Sequence, residues 1–336
     1  MAEIPIVRAR YAHSFAKSLE ELGVPTRKVL QAHRLSPDLV ANQHGLITAH
    51  QLWSFAGAAA RQEGLPELGI LAGQVPVIEH GDFGRMVYQA ITLYDAIKTF
   101  CDNAKTEYSR ADFYLTQDDD YAWFCRGPID GDDPMQRQQV ELYVLVMMID
   151  TIRLGAGSEW QPKLLYLQNR DYKGLADIPL FRNANTRFGF KATAIGFPLH
   201  LLNTPLQGDI AIFTRPENEI DDISESSDFG NSLRRVLKNH MGHTDISLDV
   251  AAEITGLTRR TLQRYLKKSD LTYQDVIDQL RYEISLPLLK DRQQSLLEVA
   301  LDLGYSDAAH FTRAFRRWSG FTPSAFRKNV NWDAGK

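Results

Sequence analysis

The sequence predicts an α+β domain followed by an all-α domain built on two helix-turn-helix units joined by a linking helix. Three observations predict it. The last hundred residues carry one pattern twice, SLDVAAEITGLTRRTLQRYLKK at 247–268 and SLLEVALDLGYSDAAHFTRAFRR at 295–317. Residues 1–75 place apolar side chains at helical spacing, whereas from about Val75 short aromatic-rich runs alternate with helical ones. An acidic, serine-bearing stretch then separates this half from the repeated pattern. The expected organisation is a domain over 1–205 with a helical subdomain at 1–75, a linker over 206–228, and a helical domain over 229–336.

In the first part Phe15, Leu19 and Leu22, and again Leu52, Phe55 and Ala59, recur at helical spacing. Pro25 suits a helix start, Ser36-Pro37 a cap followed by a first-turn proline, and Gly64 to Pro66 a break. Residues 83–92 and 94–103 read as helices. Residues 111–116 and 121–125 read as a hairpin, with three aspartates, 118–120, in its turn. Residues 134–154 read as a long and largely buried helix, and 163–168 and 188–194 as strands. A small sheet within 76–205 follows. The acidic run 218–228 reads as a solvated linker. A phosphorylated switch is the rival reading, and it is the weaker one because solvated acidic linkers are common.

The two copies align residue by residue. Ala252 and Ala300 are the small residues that a tight helix crossing needs. Gly256 and Gly304 stand where the turn requires a positive φ, which glycine adopts without a Cβ clash. Thr258 and Asp307 (or Ser306) can cap the next helix. The second turn is one residue longer. Leu262, Leu266, Phe311 and Phe315 fall four apart and face inward. The outer face is then Arg259, Arg260, Gln263 and Arg264 in the first copy, and Ala308, Ala309, Thr312 and Arg313 in the second. Those side chains suit base edges in a DNA major groove: Arg on guanine, Gln on adenine, Ala or Thr on a thymine methyl. Thr258, Lys267, Lys268, Arg316 and Arg317 suit phosphates. A merely solvated basic face is the bland alternative. It explains one copy, but not two with matching alanine, glycine and cap positions.

Between the copies, Thr272 caps a helix to about Lys290. Its length of about 28 Å at helical rise can hold two reading heads near the ~34 Å spacing of successive major grooves. Pro287 lies inside that helix and is expected to kink or shorten it.

Charge supports the same division. Residues 229–336 carry 17 Lys and Arg against 12 Asp and Glu, a surplus of +5, while the rest of the chain is −9 and the whole −4. A basic surplus on the repeated segment is what a DNA-binding face requires.

The repeated segment, with the run ALDLGYSDAAHFTRAFRRW at 300–318 and the trailing GFTPSAFR at 320–327, resembles the DNA-binding domain of AraC/XylS-type transcription regulators over about 229–330. Residues 162–167, Phe181, 187–190 and 195–202 are similar to the arabinose-binding-type sensor domain of one branch of that family. The resemblance implies double-stranded DNA and a small-molecule effector as partners. It also implies control of DNA binding or RNA polymerase contact, and a domain that often forms a homodimer. An activator is the expected mode. The domain label names a fold and leaves the ligand open.

The N-terminal half carries no enzymatic signature. Its histidines lack Cys or Glu at metal-ligand spacing, His240 and His243 read as a surface pair, and Gly81 to Gly84 lacks the lysine of a phosphate loop. No catalytic residue, metal or cofactor is expected. Tyr114, Tyr121, Trp123, Tyr166, Phe188 and Phe190 are the candidate lining of an effector pocket, with ordinary core packing as the alternative. Cys101 and Cys125 read as partly buried thiols in a reducing compartment. The longest apolar run, Leu142 to Ile149, is too short to span a bilayer. No signal peptide is recognised, and a cytoplasmic location is expected. The rival functions are an enzyme with a DNA-targeting tail and an effector-independent DNA binder. A nucleophile or metal cluster in 1–205 would mark the first, and none is found.

Overall fold

In the computed structural model the described residues are 3–42, 44–131, 133–206, 223, 228–241 and 246–329. Most of the acidic run and His243 lie outside them. The chain forms two units, Pro5–Glu225 and Ser226–Lys336, the latter counted with residues 1–4.

The first unit opens with strand β1 (Ile6–Arg8) and helices α1 (Arg10–Glu21), α2 (Arg27–Ala32) and α3 (Pro37–Ala41), followed by β2 (Leu46–Thr48), α4 (Ala49–Glu63) and α5 (Leu68–Ala72). β1 and β2 pair antiparallel, a short sheet that three-residue runs inside a helical pattern do not announce. Ser36 caps α3, with Pro37 in its first turn, and Thr48 starts α4 with a capping box through Gln51.

Helices α6 (Gly81–Tyr88) and α7 (Leu93–Asn103) follow, then β3 (Phe113–Gln117) and β4 (Tyr121–Arg126), paired antiparallel. Asp118 accepts from the backbone N–H groups of Asp120 and Tyr121, which explains the acidic turn. Asp133 accepts from Met135 and Gln136, and Pro134 takes the first helical position, so the 23-residue α8 (Pro134–Ala156) starts there. It packs on α4 and α5 so closely that a Cβ at Gly69 would stand 2.3 Å from the Gln139 carbonyl oxygen. One hydrophobic core runs from Val7 to Leu202, so the helices of residues 1–75 share it with the sheet.

The sheet is completed by β5 (Leu164–Tyr166), β6 (Asn185–Arg187) and β7 (Thr193–Pro198), in the order β3-β4-β7-β5-β6. Only β5 and β6 run parallel. The strand expected over 188–194 is thus misplaced: Phe188 to Ala192 connect two strands, with Gly189 at φ 80°. Aromatic content suggested a strand, but the glycine turn splits it. The side chain of Glu141 ties α8 to the sheet, accepting from the backbone N–H of Gln168 at 2.6 Å and from the Thr193 hydroxyl at 2.5 Å.

The second unit contains α9 (Phe229–Lys238), α10 (Leu248–Thr255), α11 (Arg259–Lys268), α12 (Tyr273–Lys290), α13 (Leu296–Asp302), α14 (Ala308–Ser319) and α15 (Pro323–Asn329). α12 is the linking helix, started by a capping box of Thr272 and Asp275. Pro287 does not shorten it. The proline lies exposed in the last turn, where its missing N–H costs only one bond, to a carbonyl that water can reach. α9 and α14 both pack on α12, and Val299, Ala300, Leu303, Phe311 and Phe315 form the buried centre of the second helix pair.

Candidate nucleic-acid interface and effector cavity

In the first helix pair Gly256 ends α10 at φ 68°, as the turn demands. The Thr258 hydroxyl accepts from the Thr261 N–H at 3.2 Å and starts α11. Leu262 and Leu266 are fully buried, which fixes the rotation of the helix. Arg259, Arg260, Gln263 and Arg264 are thereby turned to solvent, together with Lys267 and Lys268. Three of these are steered by neighbours. Arg259 meets Asp249 at 3.3 Å, and the guanidinium of Arg264 lies over the Tyr265 ring, 5.2 Å from its centroid. The ammonium of Lys268 sits 5.8 Å from the same ring.

The second pair repeats this with a longer turn. Gly304 has φ 76°, and Asp307 takes the cap by accepting from the His310 N–H at 2.7 Å. Phe311 and Phe315 are buried, so α14 presents Ala309, Arg313 and Arg316 outward with Ala308 and Thr312 half-buried. The Thr312 hydroxyl donates to the Ala308 carbonyl at 2.7 Å. That spends its polar group on the backbone and leaves the methyl for outward contact. Arg317 is exposed but bonded to Asp278 of α12 at 2.6 Å, a partner that spacing along one helix does not reveal. His310 was missed by the pattern. It is exposed, with Nδ1 on the Asp307 carboxylate at 2.7 Å, and it flanks Arg313 on the helix surface.

In the N-terminal unit none of the six candidate aromatics lines the inner cavity between α1, α4, α7 and α8. Strand register places Tyr114, Tyr121, Trp123 and Tyr166 on one face of the sheet, opposite the fully buried Phe124, Leu165, Ile195 and Phe197. Trp123 stacks on Tyr166 at 4.8 Å and Tyr166 on Phe190 at 4.3 Å, a row on the outer face. Trp123 lies over Gly196, where a Cβ would approach its ring to 2.8 Å. Phe188 packs against the core edge instead. Alternation along a strand told that these rings share a face but not which one.

A cavity of about 70 Å³ lies on the inner side, between α1, α4, α7, α8 and the β3–β4 hairpin. Its apolar walls include Leu52, Phe83, Phe100, Phe113, Val144 and Met147. Its polar lining is Tyr11, Glu107, Tyr108, Arg126 and Tyr143. Glu107 is 6 % exposed, with Arg10 at 3.6 Å, and burial pushes its carboxyl up to about 7 against the pull of Arg10 and Arg8. Behind Tyr143 stands His80, whose ring lies 3.1 Å from the tyrosine hydroxyl. Burial pushes this histidine down to about 4, so it is neutral near pH 7. Arg126 is 2 % exposed, and burial lowers its pKa. Among the described residues no group of three or more His, Cys, Asp or Glu side chains is placed to hold a metal, and no helix is long and apolar enough to cross a membrane.

Known proteins divide the chain in the same way. Residues 23–206 match the family described as the arabinose-binding domain of AraC transcription regulator, N-terminal, and residues 251–329 match a helix-turn-helix domain. The chain is similar to the ornithine utilization regulator of Pseudomonas aeruginosa, at 24 % identity over 96 % of both chains. It is also similar to the transcriptional activator RhaS of Escherichia coli, at 29 % identity over 35 % of this chain and 43 % of that one. Among solved structures, the transcriptional regulator CdpR of Pseudomonas aeruginosa covers 90 % of this chain and 96 % of its own, with 21 % identity and a TM-score of 0.40. A sensor domain matched along more than half of the chain, ahead of two helix-turn-helix units, places this protein in the AraC family of ligand-responsive, DNA-binding transcription regulators.

Proposed function

We propose that this protein is a transcription activator that lays α11 and α14 into successive major grooves on one face of double-stranded DNA. The observation that carries the reading is the rotation of both helices. Burial of Leu262 and Leu266, and of Phe311 and Phe315, leaves the arginine-bearing faces in solvent. Arg259, Arg260, Gln263 and Arg264 read base edges in the first groove. Ala308, Ala309, Thr312 and Arg313 read the second, chiefly by methyl contact and one guanidinium. Thr258, Lys267, Lys268 and Arg316 hold phosphates. The similarity to RhaS, named as an activator, supports activation over repression. An electrophoretic shift of the full chain on DNA from its own upstream region tests this. Binding is expected to prefer that DNA and weaken steeply with salt; binding indifferent to sequence contradicts it.

The effector occupies the inner cavity, where aromatic and aliphatic walls surround a few buried polar groups. The outer aromatic row is then a surface and not a pocket. A second copy of the chain and RNA polymerase complete the set of partners, and the protein acts in the cytoplasm without catalysing a reaction. Sedimentation of the full chain with and without DNA reads the first of these.

A further inference from the structure

Arg126 stands at the end of β4, and the Gln168 side chain donates to its carbonyl oxygen and to that of Gly127 at 3.4 and 3.0 Å. The backbone there is fixed. Its guanidinium donates to the Gly127 carbonyl at 3.2 Å and lies over two rings, 5.8 Å from the Tyr108 centroid and 5.1 Å from that of Phe113. Among the described residues it forms no ion pair. The carboxylates that act on it, Asp112 and Asp130, are exposed, and Asp130 is bonded to Arg110 at 3.3 Å.

A guanidinium held out of water is costly unless a counter-charge meets it. Two ring faces offset part of that cost and also orient the planar group. The remaining N–H groups form a fork suited to a carboxylate, which accepts two parallel bonds. Glu107 also lines the cavity, but its ion pair is with Arg10 at 3.6 Å, and its buried Oε2 accepts no hydrogen bond. The cavity therefore offers an incoming molecule the Arg126 guanidinium and apolar walls from Phe83, Phe100, Phe113, Leu52 and Met147.

We infer that the cavity takes a small organic acid with an apolar body, its carboxylate bonded to Arg126 and its body packed among the phenylalanine rings. The inference rests on reading this cavity as the effector site. At about 70 Å³, under half the ~150 Å³ of a cavity that holds a benzene ring, it takes only a short acid.

The test is calorimetric titration of the full chain with two matched probes, propanoate and propanamide. Propanoate is expected to bind at least about tenfold more tightly than propanamide, and Arg126→Gln to abolish the difference between acid and amide. The comparison of acid with amide on the unaltered protein stands even if Arg126→Gln does not fold. Propanamide equal to propanoate overturns the anchor while leaving the cavity as an effector site. Absence of binding by both at millimolar concentration overturns the ligand class. The effector reading itself fails on a separate result, namely that Met147→Trp, which fills the cavity, leaves effector-dependent transcription unchanged.

Discussion

The guanidinium of Arg317 is bonded to the carboxylate of Asp278 at 2.6 Å, tying the second recognition helix to the helix that links it to the first. Arg316, one residue earlier, is exposed and forms no ion pair among the described residues. The pair of basic residues that ends α14 thus divides between two tasks, one toward DNA and one within the protein.

The consequence is measurable by salt dependence. Arg316→Ala is predicted to lower the slope of log affinity against log salt by about 0.9, the release expected for one lost phosphate contact. Arg317→Ala is predicted to leave that slope within error. Its effect is to loosen α14 on α12, by under about 1 kcal/mol since the arginine is largely exposed. Equal slope changes in the two variants contradict this division.

The two recognition helices are unequal. On the faces assigned to bases, α11 offers three arginines and a glutamine, whereas α14 offers Arg313 among small residues, with the Thr312 hydroxyl spent on its own helix. Arg264→Ala is predicted to relax preference at one base position and to cost about 1–3 kcal/mol on the preferred sequence. Lys268→Ala is predicted to weaken every sequence alike. Selection from a randomised DNA pool with each variant reads both outcomes, and uniform loss in both would remove the distinction.

Glu107 sets a pH dependence for the N-terminal unit. Its folded carboxyl titrates at about 7, above the ordinary value of 4.5, because burial outweighs the nearby arginines. Folded Glu107 therefore holds its proton more tightly than the unfolded chain does. The stability gained is full below about pH 4.5 and is lost as pH rises through 7. Glu107→Gln cannot ionise. The stability of the unaltered protein relative to this variant is predicted to fall by up to about 3 kcal/mol between pH 4 and 8, read by chemical denaturation at each pH. Parallel profiles would show that Glu107 keeps its charge in the folded state.

His80 acts in the opposite direction. With its ring pushed down to about 4, it must gain a proton on unfolding below its ordinary value of 6.5. Stability from the neutral ring is complete above that value and is lost as pH falls toward 4. His80→Gln is predicted to flatten the acid limb of the denaturation profile while adding a smaller pH-independent loss. An unchanged acid limb contradicts the assignment.

What the sequence reveals follows the range over which its physics acts. Gly256, Gly304, Thr258 and Asp307 are dictated by turns and caps a few residues long, so their type and position are readable without a fold. The inward leucines and phenylalanines follow from helical period alone. The cavity is of another kind. Arg10 meets Glu107 across 97 positions of chain, and Val7 and Met147 line the same space, so no local pattern marks it. The aromatic alternation in β4 was legible, but the face that each ring takes was decided by α7 and α8, which pack on the other side. The ion pair of Arg317 was hidden for the same reason, since its partner Asp278 lies on a different helix.

The central claim is that one chain reads DNA with two heads. Hydroxyl-radical footprinting of the full chain on its preferred site tests it most directly. Two protected patches on one face of the duplex, centred about one helical turn or ~34 Å apart, are the predicted result, with Arg260→Ala erasing one and Arg313→Ala weakening the other. A single patch that either substitution abolishes entirely would contradict the account.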